Sequence, residues 1–390
     1  MKQLKSGSPD PDFAEGGRVE LGEGRSNLKL RRFLLDDQQR IVGVGGSERI
    51  GTGAARVTVA RYTAQGRLDA SFDEDGYWLS LPLKSGDGGL DLGARADGTY
   101  IIAALQQERT KLLYKAAEGQ ARESTLTPDD ATADGNARVA IQRDGGAWVA
   151  FSYLYPDWSG RAALTHRRPD GHPDAGFAEN GTLTLGEGSQ AVQLIDMVWR
   201  ETRNDVILVL NVRGGPASGY VLLCIDASTG APKDSFAEDG RFTYEVSGPA
   251  YGYTSFSHLL YENGQLWLAG NVVERASGAI HCFFLRLTDD GRIDLGFNQG
   301  NPVVIKGMQP NVGVQSDGKV LLLASTVYPD NILRRYLPDG ELDHAFGEAG
   351  EVRPGRRDEE IRTLLVQADD KLLLSAQAGS LSRALYRLLG

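Results

Sequence analysis

The sequence predicts an all-β protein built from seven similar units, and three features of its 390 residues support this prediction. A short motif that contains Phe and then Gly returns along almost the whole chain. A second signal, typical of β-hairpins, stands between the copies of the motif. Glycine is abundant, with 49 residues, whereas long amphipathic helical patterns are scarce. Repetition at a period of this length is typical of solenoids and propellers, in which each repeat is one supersecondary unit.

The motif is clearest at residues 68–76, and its Phe serves as a ruler along the chain. That Phe recurs at six positions, which are Phe13, Phe72, Phe177, Phe236, Phe297 and Phe346. The steps between them are 59, 105, 59, 61 and 49 residues. Because the long step is close to two periods, we predict a degenerate copy near residues 121–130, which brings the copies to seven.

Three positions of the motif predict its local structure. An Asp stands three residues before the Phe in five copies, at Asp10, Asp69, Asp174, Asp294 and Asp343. A short acceptor side chain there can bond the backbone amides of its own turn. A Gly stands four residues after the Phe at Gly17, Gly76, Gly181, Gly240 and Gly350, where we expect positive φ. The Phe itself is predicted to pin the loop onto the neighbouring unit.

Polar turns precede seven short apolar runs, and such turns between apolar stretches indicate β-hairpins. They lie at residues 38–39, 97–98, 144–145, 204–205, 263–264, 317–318 and 369–370. With the strands that flank each turn and each motif, every unit holds four strands. The weakest of these predicted strands lies around residues 123–127, beside the degenerate copy of the motif.

The two ends of the chain complement each other. The last unit lacks its fourth strand, whereas residues 17–21 form a strand that belongs to no unit. Pairing them would remove exposed sheet edges. The sequence therefore predicts a seven-bladed β-propeller, with four antiparallel strands per blade, closed by an N-terminal strand that completes the last blade. Residues 1–9 would form a tail and residues 10–390 a single β-propeller domain. An open solenoid is the alternative, although neither end resembles the polar cap that a solenoid needs.

The repeat resembles the delta-60 repeat family of bacterial β-propeller-like proteins. The cleanest copies run from Arg61 and Tyr62 to Gly76 and from Arg335 and Tyr336 to Gly350, and the resemblance covers residues 10–389. It implies a propeller and brings no catalytic residue with it. The chain departs from the pattern near residues 121–130, at Lys233 in place of Asp, and at residues 300–301, where Gly is displaced by one position.

Composition excludes several classes of function. The net charge of −10 disfavours nucleic acid, whose phosphates attract basic surfaces. No apolar run approaches the roughly 20 residues of a membrane span, so we expect a soluble protein without membrane insertion. The first eight residues lack the apolar core of a signal peptide, which favours the cytoplasm, with non-classical export to the cell surface as an open alternative. We expect a monomer without a cofactor, and no disulfide between Cys224 and Cys282.

The sequence contains no recognisable catalytic or metal-binding set. The five histidines do not cluster, which argues against a zinc site. Nucleophile-elbow, phosphate-loop and dinucleotide fingerprints are absent. Acidic turns such as residues 73–76 are similar to calcium loops, but ordinary turn chemistry is the favoured interpretation.

Aromatic residues occupy loops that, by analogy with other propellers, belong to the ligand-binding face. They are Tyr153, Tyr155, Trp158, Tyr251, Tyr253 and Tyr328. Aromatic side chains with a polar handle suit a surface that is dry on one side and wet on the other. We therefore predict a platform for a sugar ring or a peptide, with padding between neighbouring blades as the alternative.

Polar residues recur near the start of the first strand of each unit, where inner strands would converge on an axis. They are Asp91, Arg138, Ser257, Asn311 and Thr363. Such a ring either binds channel water and ligands or, in an enzyme, holds an acid and a base. The leading hypothesis is a non-enzymatic scaffold that binds an unknown glycan, peptide or partner protein. The rival is a hydrolase or lyase that uses the carboxylates of Asp91 and Asp196 at the channel mouth.

Overall fold

The structure is a computed structural model that describes most of the chain. The described residues are 5–22, 25–49, 55–73, 75–80, 88–116, 121–214, 218–246, 248, 250–325, 330–379 and 381–390. Within these ranges the chain forms 28 β-strands and two 3₁₀ helices, Glu201–Arg203 and Asn298–Gly300. It divides into two compact units, which we name the middle unit (Gly24–Thr63 and Leu68–Thr243) and the terminal unit (Met1–Glu23, Ala64–Arg67 and Tyr244–Gly390).

The middle unit contains four consecutive groups of four strands. Group I comprises β2 (Arg25–Leu35), β3 (Ile41–Arg49), β4 (Ala55–Tyr62) and β5 (Tyr77–Leu79). Group II comprises β6 (Gly88–Ala94), β7 (Tyr100–Gln106), β8 (Arg109–Lys115) and β9 (Arg122–Thr125). Group III comprises β10 (Thr132–Ile141), β11 (Ala147–Leu154), β12 (Gly160–Arg167) and β13 (Thr182–Leu185). Group IV comprises β14 (Ala191–Arg200), β15 (Asp205–Arg213), β16 (Gly219–Asp226) and β17 (Arg241–Phe242). A parallel bridge between Gly160 and Ala191 joins groups III and IV into one eight-stranded sheet.

The terminal unit contains the remaining strands in three groups of four. Group V comprises β18 (Tyr251–Glu262), β19 (Gln265–Glu274), β20 (Ile280–Leu287) and β21 (Val303–Lys306). Group VI comprises β22 (Met308–Val314), β23 (Val320–Ser325), β24 (Asn331–Tyr336) and β25 (Glu351–Val352). Group VII comprises β26 (Glu360–Val366), β27 (Leu372–Ala378), β28 (Leu381–Leu388) and β1 (Arg18–Glu20).

The first strand of the chain pairs with the last one. β1 runs antiparallel to β28, with Arg18 opposite Tyr386. The residues before β1 extend this pairing, because the Gly7 amide donates to the Leu389 carbonyl over 2.8 Å. The strand pairing expected for residues 17–21 is thus present, whereas the closed ring that it would complete stays a prediction.

The apolar cores lie between successive groups. In the middle unit, Val44 and Val59 of group I share a cluster with Leu92 and Ile102 of group II, all at 4% exposure or less. In the terminal unit, groups VI and VII share a similar cluster. Groups II, III and VI, which have a neighbouring group on each side within their own unit, therefore bury both faces of their inner strands, and this explains why the sequences of those strands are continuous apolar runs. None of the helices in the described ranges has the length and apolar composition that crossing a bilayer requires.

The repeated motif forms a corner between the third and fourth strands of its group. The six Phe side chains are at most 5% exposed, and Phe72 meets Tyr100 of the next group edge-on at 5.6 Å. The Asp carboxylates accept amide hydrogen bonds inside their own turns, as the Asp343 carboxylate does from Ala345 over 3.1 Å. Gly350 has φ of +92°. These three predictions for the motif are confirmed at the corners that the structure describes.

The corners also contain an Arg that begins the cleanest copies of the repeat, and the sequence analysis predicted no role for it. An Arg on the third strand donates to the motif Asp and covers the face of the motif Phe. Arg335 Nε lies 2.8 Å from Asp343 Oδ2, and the Arg335 guanidinium lies 4.7 Å from the centre of the Phe346 ring. The same arrangement recurs with Arg61, Arg286 and Arg387, while His166 replaces the Arg in group III. The buried ring and the ion pair thus share one cation.

In group IV, a cation also covers the motif Phe and pairs with a carboxylate, but different residues are used. Cys224 stands where the other corners have Arg, and Lys233 stands where they have Asp. Arg200 covers Phe236 instead, at 5.5 Å, and binds Asp205 through two hydrogen bonds of 2.7 and 2.9 Å. Lys233 Nζ also donates to Asp205, over 2.9 Å. The departure at Lys233 is therefore compensated by a carboxylate on the second strand.

Candidate functional site

The first strand of every group contains a register shift against its second strand. A β-bulge of this kind turns a side chain away from the regular alternation. In the middle unit, charged residues lie within one residue of the first pair after the shift. They are Arg32 opposite Val44, Asp91 opposite Ala103, Arg138 opposite Ala150 and Asp196 opposite Val209. We name these four side chains the charged quartet, in which the sign alternates from group to group.

Two members of the charged quartet bind each other. Arg138 Nε donates to Asp196 Oδ1 over 2.7 Å, and the two side chains are only 15% and 7% exposed. The remaining donors of Arg138 bond backbone carbonyls, Nη2 to Ile195 over 2.6 Å and Nη1 to Ala137 over 2.8 Å. The guanidinium of Arg138 is thus engaged on all three nitrogens.

Asp91 is held by the backbone. Its Oδ2 accepts the Val139 amide over 2.9 Å, and the Leu92 amide also bonds the carboxylate. Burial raises the pKa of Asp91 above its ordinary value, although the charges of Arg32 and Arg138 and these amides act in the opposite direction. No ion pair of this carboxylate is present among the described residues.

The guanidinium of Arg32 differs from that of Arg138 in its contacts. Among the residues that the structure describes, its guanidinium makes no hydrogen bond or ion pair, although it interacts electrostatically with the rest of the charged quartet. The positive charge of Arg138, followed by burial, lowers the pKa of Arg32, and the carboxylates of Asp196 and Asp91 only partly offset this effect. The charged quartet thus contains one cation that lacks a direct partner.

The terminal unit has neutral or weakly basic residues at the corresponding register positions. They are His258 opposite Ala269, Asn311 opposite Leu323 and Thr363 opposite Ser375. Ser257, expected in the polar ring, lies at the bulge itself, one residue before the register position that His258 occupies. Asn311 is half-buried. Among the described residues, the first pairs after the shift in the terminal unit are thus uncharged at neutral pH or weakly basic, although Arg362, paired with Glu360, stands at the bulge beside Thr363.

A second unusual feature is the turn Tyr155–Ser159 between β11 and β12. The Tyr155 amide bonds the Ser159 carbonyl, the Trp158 amide bonds the Tyr155 carbonyl, and the Ser159 amide bonds Asp157 Oδ1, all over 2.9 Å. Six other turns share this bonding. Five of them have glycine at the position of Trp158, namely Gly98, Gly145, Gly171, Gly318 and Gly340, and the sixth has Asp370, whose φ is +61°. Trp158 itself has φ of +65° and is 78% exposed.

The turn stands on a rigid aromatic support. Tyr153 is 4% exposed, packs in the core against Phe151, and meets Tyr155 edge-on at 5.7 Å. Burial raises the pKa of Tyr153 to about 12. The Arg161 guanidinium lies 5.6 Å from the centre of the Tyr155 ring and donates to the carbonyls of Gly160, Gln190 and Gly188. Of the three predicted aromatics in this loop, Trp158 is thus the one whose ring faces solvent.

The other predicted aromatics belong to the terminal unit. Tyr251 is half-buried and meets His281 at 6.1 Å, and Tyr253 is 62% exposed. Tyr328 lies outside the described residues. The predicted aromatics that the structure describes are thus divided between the two units, with Tyr153, Tyr155 and Trp158 in the middle unit and Tyr251 and Tyr253 in the terminal unit.

Two further properties of the described residues concern metal ligands and thiols. Within the described residues, no group of three or more His, Cys, Asp or Glu side chains is arranged to hold a metal ion. Cys224 and Cys282 are buried free thiols, and burial raises the pKa of Cys224 to about 12. A thiol with a raised pKa is a poor nucleophile at neutral pH.

The sequence analysis did not identify Arg32 or the conformation of Trp158, although the sequence contains evidence for both. Arg32 stands six residues before Gln38, the same spacing that places Asp91 before Asp97. Residues 156–159 align with the Asp-Gly turns, with Trp158 in place of the glycine. In both cases the signal lies in comparing equivalent positions of the repeat.

Comparisons with known proteins identify the fold. Residues 315–346 match a family described as a beta-propeller domain of unknown function (DUF5122). No curated protein sequence matches the chain. Among solved structures, the extracellular domains 1–2 of Drosophila Semaphorin 1a align with a TM-score of 0.56 and 8% identity, over 98% of this chain and 88% of that one.

Two further structures resemble the chain over nearly its whole length. The polysaccharide lyase Uly1 aligns with a TM-score of 0.53 and 10% identity, over 100% of this chain and 94% of that one. The beta-propeller domain of the Trilobed protease from Pyrococcus furiosus aligns with a TM-score of 0.50 and 10% identity, over 95% of both chains. These likenesses and the strand content show that the protein has an all-β, propeller-like fold.

Proposed function

We propose that the protein is a non-enzymatic binding scaffold that recognises its ligand through Trp158. The observation that carries this proposal is an exposed indole at a backbone position where five of six equivalent turns have glycine and the sixth has a short polar residue, Asp370. A left-handed backbone costs a residue with a Cβ about 1–2 kcal/mol. No aromatic or cation–π contact or side-chain hydrogen bond of Trp158 is present in the described part of the chain. Backbone strain that no contact within the protein offsets is typical of residues that bind a ligand.

The isolation of Trp158 favours a glycan over a peptide or a partner protein. Trp158 is the one large apolar side chain of the middle unit, within the described residues, that is exposed. Stable protein interfaces bury roughly 1,600 Å² and cluster several anchors, whereas one flat indole face is enough to cover a sugar ring. The fixed turn and the Tyr155 support present that face without further ordering, which reduces the entropy cost of binding.

The architecture that we infer for this scaffold is a single closed propeller of seven blades that spans residues 10–390. The seven groups of four strands support the blade count, and the pairing of β1 with β28 supports closure through the N-terminal strand. The match at residues 315–346 is consistent with the delta-60 repeat resemblance. We further propose a monomer in the cytoplasm, with export to the cell surface as the alternative.

The function is tested by a saccharide and peptide screen monitored by thermal shift, on wild type and on Trp158→Gly. Trp158→Gly restores the residue of the equivalent turns, so it should fold at least as well as wild type. Ligand at a hundred times its dissociation constant should stabilise wild type by about 2.7 kcal/mol and the variant much less. Leu295→Ala, which truncates another exposed apolar side chain (75% exposed), is the matched control and should respond as wild type does. Hits that stabilise Trp158→Gly equally would contradict the proposal.

An enzymatic function is the second candidate, and the raised pKa of Asp91 is the observation that favours it. A carboxyl with a raised pKa can serve as a general acid or base. Asp196, the expected second carboxylate, is bound to Arg138, so the acid–base pair of a glycosidase is incomplete. We expect no new reducing ends or unsaturated sugars when polysaccharides are incubated with the protein. Product formation that disappears in Asp91→Asn would establish the enzyme instead.

A further inference from the structure

The most informative feature of the charged quartet is the guanidinium of Arg32, which has no direct partner among the residues that the structure describes. Arg138 is engaged on all three nitrogens by Asp196 and two carbonyls. Arg32 lies close enough to Arg138 for repulsion, yet no described residue accepts a hydrogen bond from it. A half-buried guanidinium has five donors to satisfy, and the like charge beside it makes an anion a favourable neighbour. This arrangement indicates a place for an anionic group of a ligand.

The two carboxylates of the charged quartet restrict which anion can bind. Asp91 and Asp196 lie within electrostatic range of Arg32, so they would repel a dianion such as free phosphate or sulfate more strongly than a monoanion. A carboxylate carries a single negative charge and matches the planar fork of an arginine. The local charge therefore favours a monoanionic carboxylate.

Asp91 adds a requirement for hydrogen-bond donors on the same ligand. Its carboxylate accepts the amides of Val139 and Leu92, and an ionised carboxylate has about four acceptor sites. The remaining sites can accept from hydroxyl groups. A ligand that carries both a carboxylate and several hydroxyls is an acidic sugar.

We propose that Arg32 binds the carboxylate of a uronic acid residue, with Asp91 accepting hydrogen bonds from the hydroxyl groups of the same sugar. This inference rests on the proposed function, because it narrows the saccharide class that the scaffold takes. Arg138 and Asp196 are positioning residues in this site. Their ion pair and two carbonyls engage all three nitrogens of Arg138, which leaves Arg32 as the guanidinium available to the sugar carboxylate.

The test is isothermal titration calorimetry with trigalacturonate, trimannuronate and the methyl ester of each. Wild type should bind at least one of the two acids, and its methyl ester at least about tenfold more weakly, because the ester lacks the charge. Arg32→Gln should weaken binding of that acid about 10- to 100-fold, to the level of the ester. Arg143→Gln, which removes a side chain that is 86% exposed in group III, should bind as wild type does.

A stability measurement separates a binding residue from a structural one. Because Arg32 is repelled by Arg138 and has no direct partner in the described ranges, the unfolding midpoint of Arg32→Gln without ligand should equal or exceed that of wild type. A midpoint that falls in parallel with the affinity would assign Arg32 a structural role and overturn the proposal. Equal affinity for acid and ester, retention of affinity in Arg32→Gln, or failure of both acids to bind would overturn it as well.

The same titrations distinguish this inference from the proposed function. Neutral saccharides that bind in a Trp158-dependent manner, with no preference for uronates, would refute the role of Arg32 and leave the scaffold standing. Uronate binding that depends on Arg32 and survives in Trp158→Gly would support the inference and refute the role of Trp158. Inorganic phosphate that competes as well as the uronate would refute the sugar-acid class.

Discussion

The motif corners and the Tyr155–Ser159 turn show two opposite uses of an irregular segment. At the corners, the Asp pairs with the Arg and the Arg covers the ring of the Phe. This set of contacts recurs with small changes in several groups. In the turn, the backbone bonds are equally complete, but its largest side chain points into solvent at a strained position. Repetition therefore marks what stabilises the fold, and a departure from the repeat without internal compensation marks a place to look for function.

The largest effect that we expect is at the corners. Phe346 is fully buried beneath Arg335 and packs in the core between groups VI and VII. Phe346→Ala should lower the free energy of unfolding by about 3–5 kcal/mol, because it leaves a cavity in addition to the lost burial. Urea denaturation of the variant measures this change. The exposed Leu295→Ala should remain within about 0.5 kcal/mol of wild type, and equal losses at the two sites would break the comparison.

Group IV departs from the corner pattern at Lys233, and the carboxylate of Asp205 compensates for this departure. Replacing Asp205 should lower the stability by a similar amount. Asp205 is fully buried between Arg200 and Lys233, so Asp205→Asn leaves two cations without their carboxylate and should cost about 3 kcal/mol. Adding Lys233→Met to that variant removes one of these cations and should restore part of the loss. The unfolding midpoints of the single and double variants in urea give the coupling, and purely additive losses would show that the corner does not act as a unit.

Acid sensitivity offers a smaller test of the same corners. Burial alone would raise the pKa of Asp10, but the Asp12 amide and the charges of Arg387 and Lys371 outweigh it and hold that pKa below its ordinary value. A carboxyl with a depressed folded-state pKa stabilises the fold above its unfolded value of about 3.9, and this contribution is lost as the pH falls further. Asp10→Asn should therefore cost about 2 kcal/mol at pH 7 and progressively less below about pH 4.

This prediction is checked by comparing wild type with Asp10→Asn across pH by chemical denaturation. Asp12→Asn, at an exposed position beside it, is the control and should show a small difference at every pH. A destabilisation by Asp10→Asn that stays constant down to pH 3 would mean that the shape of the side chain, and not its charge, holds the corner.

Much of the fold could be predicted from the sequence because several copies of the repeat contain the same local features. The buried Phe, the Asp that bonds its own turn and the Gly with positive φ are local features that recur at a fixed spacing. The Arg of the corner was harder to find, because His166 and Cys224 replace it in two groups and its partner lies eight or more residues away. Compensation by Asp205 depends on a neighbouring strand, which no local pattern reveals.

The candidate site was only partly predictable. Asp91 and Arg138 follow from the repeat spacing, and Trp158 from its place in a loop. The engagement of Arg138 by Asp196, and the absence of such a partner for Arg32 within the described residues, depend on side chains from four different groups. Burial of Tyr153 against Phe151 likewise depends on packing. Spacing can place residues on one strand, but contacts across strands need the register, which the bulges shift.

The smallest effect that we expect is a gain in stability, and it tests the comparison between the turn and the corners most directly. Trp158→Gly should raise the free energy of unfolding by about 1 kcal/mol, because glycine adopts positive φ without the clash of a Cβ. Gly98→Ala makes the reverse change in an equivalent turn, where an added Cβ would meet nothing within 4 Å. It should therefore destabilise by about 1 kcal/mol through the backbone alone. If urea midpoints shift in these opposite directions, the turn stores backbone strain at Trp158, which supports a role of the indole in binding. If Trp158→Gly destabilises instead, the indole supports the fold and the turn belongs with the corners.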